Sequence, residues 1–174
     1  MLELSTVIAE ELAGKRIAIT GATGFVGTAL VERLLRCVPG CELVRPVRAD
    51  QRTPAAKRTD REIFKNDAFD RLRATHGDDF SSVTSRVSTI AGDVTRDGLG
   101  LNDADRALFA SCDIVIHSAA AVSFDSPLDS AVEINLLGPS RIANLCNEIG
   151  ITPHLVAVST CYVAGNRRGN APEQ

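Results

Sequence analysis

The sequence predicts an α/β protein: a doubly wound parallel sheet with helices on both faces, cut off after about its fifth strand. Three observations carry that prediction. Short apolar runs alternate with longer amphipathic ones, the order that builds strand–helix–strand units. The runs around Ile17, Ile114 and Val156 are apolar at successive positions, as strands covered on both faces are. A glycine-rich string joins the first such run to the first amphipathic one.

The predicted strands are 16–20 (RIAIT), 42–48 (ELVRPVR), 86–91 (RVSTIA), 113–117 (DIVIH) and 154–159 (HLVAVS). The first helix spans 25–37, with Val26, Leu30 and Leu34 at four-residue spacing. A short helix covers 104–110. A long one covers 128–149, with Ile134, Leu137, Ile142, Leu145 and Ile149 as its apolar positions. Pro139 lies inside the long helix and has no N–H for the carbonyl of Asn135, so a bend or restart is expected there. The polar, basic insert at about 50–82 is expected to hold a helix over 61–73 that buries Ile63, Phe64, Phe69 and Leu72. Gln51 to Ala56 read as a loop.

A chain of 174 residues suits one domain. With 44% hydrophobic and 24% charged residues it can bury a core, which excludes a disordered or fibrous chain. A net charge of −3 argues against a nucleic-acid partner. No run reaches membrane-spanning length, and the N-terminus is acidic where a signal peptide is basic, so a cytoplasmic location is expected, peripheral membrane association being left open. Cys37, Cys41, Cys112, Cys146 and Cys161 form no C-x-x-C pair; they read as reduced thiols, with Cys112, Cys146 and Cys161 in apolar runs and expected to be buried. His76, His117 and His154 are not at metal-ligand spacing, so no metal site is expected.

The strongest chemical signal is Thr20-Gly21-Ala22-Thr23-Gly24-Phe25-Val26-Gly27, between a strand and a helix. Gly21 suits a tight turn, Gly24 the close approach of a pyrophosphate, and Gly27 close packing of the helix on the sheet. The free N–H groups and positive end of the helix then face the phosphates, the arrangement of a Rossmann-type dinucleotide site. Arg48, at the end of the second strand, suits the 2′-phosphate of NADP(H). Asp50 keeps NAD(H) as the less favoured cofactor.

Further strings join this loop: Gly92-Asp93-Val94, His117-Ser118-Ala119-Ala120 followed by Val122-Ser123-Phe124, Asn135 with Gly138, and Val158-Ser159-Thr160-Cys161-Tyr162-Val163. Together they resemble the extended short-chain dehydrogenase/reductases, and within them the fatty acyl-CoA reductase (male-sterility-like) and thioester reductase branch. The resemblance spans about residues 14–165. It implies that Thr20, Gly21, Thr23, Gly24, Phe25, Val26, Gly27, Arg48, Asp93, Val94, Ser118, Ala119, Ala120 and Asn135 line or support the cofactor, with Asp93 beside the adenine. Thr160, or failing it Ser159, corresponds to the hydroxyl that bonds the substrate carbonyl. A hydroxyl bonding its own backbone is the plainer role for Thr160, a turn cap for Asp93, and a satisfied core histidine for His117.

The family's proton chemistry needs Tyr-x-x-x-Lys. Tyr162 is the single tyrosine, Asn166 stands four residues on, and no lysine follows Lys65. The expectation is a dinucleotide-binding domain over 1–165, with the polar tail 166–174 leading to a catalytic and substrate-binding portion absent from this chain. The parent activity implied is NADPH-dependent reduction of an acyl-CoA or acyl-carrier thioester to the aldehyde, or onward to the alcohol. A sugar-nucleotide epimerase or dehydratase and a non-catalytic dinucleotide-binding module are the alternatives. Arg52, Lys57, Arg58 and Arg61 are candidates to meet CoA or carrier phosphates, against a plain solvated face interspersed with acids.

Overall fold

The computed structural model describes residues 2–48 and 64–172. Five parallel strands form one sheet: β1 (Arg16–Thr20), β2 (Glu42–Val47), β3 (Val87–Ala91), β4 (Ile114–His117) and β5 (His154–Ala157). Their spatial order is β3-β2-β1-β4-β5. The chain winds outward from β1 to β3, returns, and continues on the other side with β4 and β5. The crevice outside the ends of β1 and β4 is therefore the topological switch point, where open α/β sheets bind ligands.

Successive apolar residues in β1 are explained by two cores. Ile17 and Ile19 pack on one face with Val31, Leu34 and Leu35 of α2 (Phe25–Cys37). Ala18 faces the other way, toward Phe109 of α5 (Asp103–Ala110) and Ile142 and Leu145 of α7 (Leu137–Glu148). All three strand residues are fully buried. Val44 and Val115 join the second core and Leu43 the first, so β2 is likewise covered on both sides. The predicted α/β architecture is the observed one.

Four details depart from expectation. A helix that the pattern reading passed over, α1 (Leu2–Glu11), precedes β1. The described part of the expected 61–73 helix is not one continuous helix: residues 64–66 form a turn, where Asn66 accepts the N–H of Ala68 and starts a 3₁₀ turn, Asp67–Phe69, that runs into α3 (Asp70–His76), with α4 (Phe80–Thr84) following. Phe69 and Leu72 are buried as predicted, and Phe64 stacks edge-to-face on Phe69 and Phe80 with the Arg45 guanidinium 5.4 Å from its ring centre. Ile63, Asp50 and the basic candidates Arg52, Lys57, Arg58 and Arg61 lie outside the described residues. Finally, β5 is an exposed edge. Leu155 and Val156 are 42% and 39% exposed, so the strand around Val156 is not covered on both faces among the described residues. Apolar succession reports what a strand can bury, and the described residues cover this one only in part. Cys161, just beyond β5, is exposed and not buried, whereas Cys112 and Cys146 sit in the second core.

The long helix is broken where proline requires it. After α6 (Leu128–Ala131) the chain widens into a π-helical turn, Val132–Leu136, closed by the Leu137 N–H donating to Val132 O, and α7 restarts at Leu137. Pro139 thus falls in the first turn of a new helix, where its missing N–H costs little. Among the described residues no helix is long and apolar enough to cross a membrane.

Candidate functional site

The glycine string forms a backbone-on-backbone turn. Gly21 adopts φ +69°, and a Cβ there would lie 2.6 Å from Ala119 N and 2.7 Å from the Ser118 carbonyl. Only glycine meets both demands. The Gly24 N–H donates to Gly21 O at 2.9 Å, and Gly24 caps α2 with extended backbone and no side-chain bond. The N–H groups of the first turn of α2 therefore have no partner within the helix, and its positive end is open to an anion. A Cβ on Gly27 would stand 2.2 Å from Gly21 O and 2.7 Å from Ala22 Cα. The close approach it permits is to the turn itself and not to the sheet.

Above this turn a cleft of about 350 Å³ opens across the carboxyl ends of β1, β2, β3 and β4. Thr20, Gly21 and Thr23 floor it, Arg48 and the Asp93–Val94 pair form the far end, and Ala119 closes the near side. These seven were expected at the site. Pro46, Val47 and Gly92 also line it and were not. Gly92 had a signal in the Gly-Asp-Val string: a Cβ there would lie 2.9 Å from Pro46 Cβ.

Asp93 follows β3 in a tight turn. Its Oδ1 accepts the Thr95 N–H (2.9 Å) and hydroxyl (2.8 Å), so it does cap the turn. Its Oδ2 stays toward the cleft, 3.8 Å from the Nε of Arg48, whose side chain is 72% exposed. The Asp93 N–H donates to Leu99 O, and Leu99 holds φ +54° between two left-handed glycines. Such a conformation is unfavourable for a leucine, and its full burial in the second core stabilises it there.

The opposite wall is the segment after β4. Asn135, in the π-helical turn, clamps it: Oδ1 accepts the Ala121 N–H at 2.8 Å and Nδ2 donates to Ala121 O at 2.9 Å. Both amide groups are engaged with backbone, so Asn135 supports the wall and is not itself among the cleft-lining residues. Thr20 Oγ1 accepts the Ser118 and Ala119 N–H groups, each at 3.3 Å, and lies 2.7 Å from His117 Nδ1. Burial pushes the His117 imidazole below its ordinary pKa and keeps it neutral, the satisfied core histidine expected.

The remaining expected residues lie around the cleft without lining it. Gly24 and Gly27 build the turn, Phe25 and Val26 project outward at 94% and 51% exposure, and Ala120 is exposed. Ser118 contributes backbone contacts. Ser159 and Thr160 follow β5 on an exposed segment, where Thr160 Oγ1 accepts the Tyr162 N–H at 3.1 Å.

This chain belongs to the male sterility protein family, an NAD-binding domain family, whose profile matches residues 19–174. It is 35% identical over 168 residues to fatty acyl-CoA reductase 8 of Arabidopsis thaliana, covering 94% of this chain and 34% of the relative. It is 33% identical over 176 residues to the alcohol-forming fatty acyl-CoA reductase of Simmondsia chinensis, covering 97% and 35%. The chain thus spans about a third of the length of the curated relatives it matches. Among solved structures it resembles the terminal R domain of the myxalamid biosynthetic pathway, with TM-score 0.64 and 27% identity over 84% of this chain and 34% of that one.

Proposed function

We propose that this chain is the cofactor-binding part of a fatty acyl thioester reductase that uses NADPH. The observation that carries the proposal is the glycine turn at the switch point: a cradle with no room for side-chain atoms, at the open end of α2 and beneath a cleft. Its donor set fits a diphosphate. The likeness to proteins named as fatty acyl-CoA reductases supports the substrate class.

In this reading the dinucleotide, when bound, would supply a hydride for the thioester carbonyl carbon, the C–S bond breaking to release thiolate and leave the aldehyde. The residues here bind and orient. The first-turn N–H groups of α2 hold the diphosphate. Asp93 Oδ2 meets the adenine end, and Arg48 the 2′-phosphate. The wall at 118–120, held by Asn135 and Thr20, orients the ring half of the cofactor. Thr160 has its hydroxyl oxygen occupied by its own turn but keeps a proton to donate to a substrate carbonyl, with Ser159 beside it. No Tyr-x-x-x-Lys pair is present in these residues to deliver and replace a proton.

Titration with NADPH and NADH, with aldehyde formation from acyl-CoA measured in parallel, tests this. The expected result is NADPH binding, preferred over NADH, with little turnover by this chain alone. Robust turnover contradicts the account of the missing dyad, and absence of dinucleotide binding removes the proposal.

A further inference from the structure

Thr20 ends β1 and His117 ends β4, and the two stand opposite each other in register, 97 residues apart. Both are buried, 1% and 3% exposed. The Thr20 hydroxyl oxygen receives two backbone donors at 3.3 Å, the Ala119 N–H and the Ser118 N–H, the latter shared with the Thr20 carbonyl oxygen, also at 3.3 Å. A hydroxyl offers two lone pairs and one proton. With both lone pairs engaged, the proton goes to His117 Nδ1 at 2.7 Å. The imidazole is therefore an acceptor at Nδ1 and carries its hydrogen on Nε2.

This bond fixes more than a side chain. The 118–119 backbone that Thr20 holds is the same backbone that would strike a Cβ on Gly21. The glycine turn and the cleft wall are thus in direct contact, with their spacing set at Thr20. A Cβ on Gly138 would lie 3.9 Å from His117 Cε1, so the ring also sits beneath α7, whose preceding turn carries the Asn135 clamp.

We propose that His117 is a positioning residue for the dinucleotide site: by accepting the Thr20 proton it turns both Thr20 lone pairs to residues 118 and 119 and sets the width of the cleft at the glycine turn. The proposal rests on reading the cleft as a dinucleotide site. Without an acceptor at Nδ1 the Thr20 proton must turn elsewhere, and one of the two N–H bonds is lost.

The test compares His117→Asn with His117→Leu. Asparagine Oδ1 can occupy the place of Nδ1, whereas leucine has similar bulk and no acceptor. Thr20→Val, nearly isosteric, probes the same bond from the other side and serves if the leucine variant does not fold. NADPH affinity is expected to fall about tenfold in His117→Leu and in Thr20→Val, the loss of one hydrogen bond. The double variant is expected to bind no more weakly than either single one, and His117→Asn to stay within about threefold of the unsubstituted protein. Ile142→Val, in the second core, is the control: it lowers stability without moving NADPH affinity. Equal losses for Asn and Leu, additive losses in the double variant, or an equal loss in the control would overturn the positioning role.

Imidazole nitrogen shifts in the NMR spectrum of the cofactor-free protein supply a readout that needs no ligand. They are expected to show Nδ1 bare and Nε2 protonated, and the opposite tautomer refutes the proposal. If the unsubstituted protein binds no NADPH, the dinucleotide reading fails and the positioning role with it. If it binds NADPH and His117→Leu binds equally well, only the positioning role fails.

Discussion

Gly27→Ala separates packing from propensity. Gly27 lies in the first turn of α2 with a negative φ, so alanine fits its backbone. In an open helix the exchange would stabilise by up to about 1 kcal/mol. Here the new Cβ would fall 2.2 Å from Gly21 O and 2.7 Å from Ala22 Cα, both backbone atoms that no rotamer change can move. Contact at ordinary distance requires the turn or the helix to shift by roughly 1 Å. Overpacking of this kind costs about 1–3 kcal/mol. For a chain of this length that lowers Tm by roughly 2–10 °C. The displaced element is the turn proposed to hold the diphosphate, so NADPH affinity should fall at least about tenfold, one hydrogen bond or more. Gly138→Ala is the matched comparison: also helical, but with its nearest contact, Val94 Cβ, at an ordinary 3.6 Å. It should leave Tm unchanged or raise it. Thermal denaturation and calorimetric titration of the two variants decide the matter, and a Gly27→Ala protein as stable as Gly138→Ala would refute the steric reasoning.

Arg48→Ala should weaken NADPH binding by about 10- to 100-fold, the value of one or two charge-assisted hydrogen bonds, and leave NADH binding nearly unchanged; equal loss for both cofactors contradicts the 2′-phosphate role. Asn135→Ala removes both bonds to Ala121 and should cost about 1–2 kcal/mol, with faster proteolysis within residues 118–127; an unchanged cleavage rate argues against the clamp. The pH profile of stability should have three regions. His117 is held below its ordinary pKa of 6.5 by burial, so the unfolded chain binds the extra proton and stability falls as pH drops below that value. Asp113 is held below its ordinary 3.8, chiefly by the Arg16 N–H, and adds a second loss on further acidification. Burial pushes the Cys112 thiol up to about 12, so the unfolded chain releases its proton first and stability falls above the ordinary 9.0. Denaturant midpoints across the range check this, and His117→Asn should abolish the loss that begins near 6.5.

Local pattern made much of the fold legible. Succession of apolar residues in β1 identified a strand with two covered faces because Ile17, Ala18 and Ile19 do face two cores. Pro139 marked the helix restart because a missing N–H is a property of one residue. The same logic misjudged β5, since His-Leu-Val-Ala has the composition of a central strand whether or not anything packs on it. The turn at 64–66 was obscured because Asn66, a good cap, sits between the apolar positions Phe64 and Phe69. At the site, the glycine turn was readable because close backbone approach selects for one residue type. The Thr20–His117 bond was not, because it joins residues 97 positions apart whose types each have commoner explanations. Pro46 and Val47 reach the cleft only because β2 ends beside β3, a fact of register and not of motif.

A crystal structure of the protein with NADP(H) bound tests the central claim most directly. The account predicts diphosphate oxygens within hydrogen-bonding distance of the first-turn N–H groups of α2, with the adenine end toward Arg48 and Asp93. Diphosphate density away from the Gly21–Gly27 turn, or a cofactor running across another face of the sheet, would contradict it.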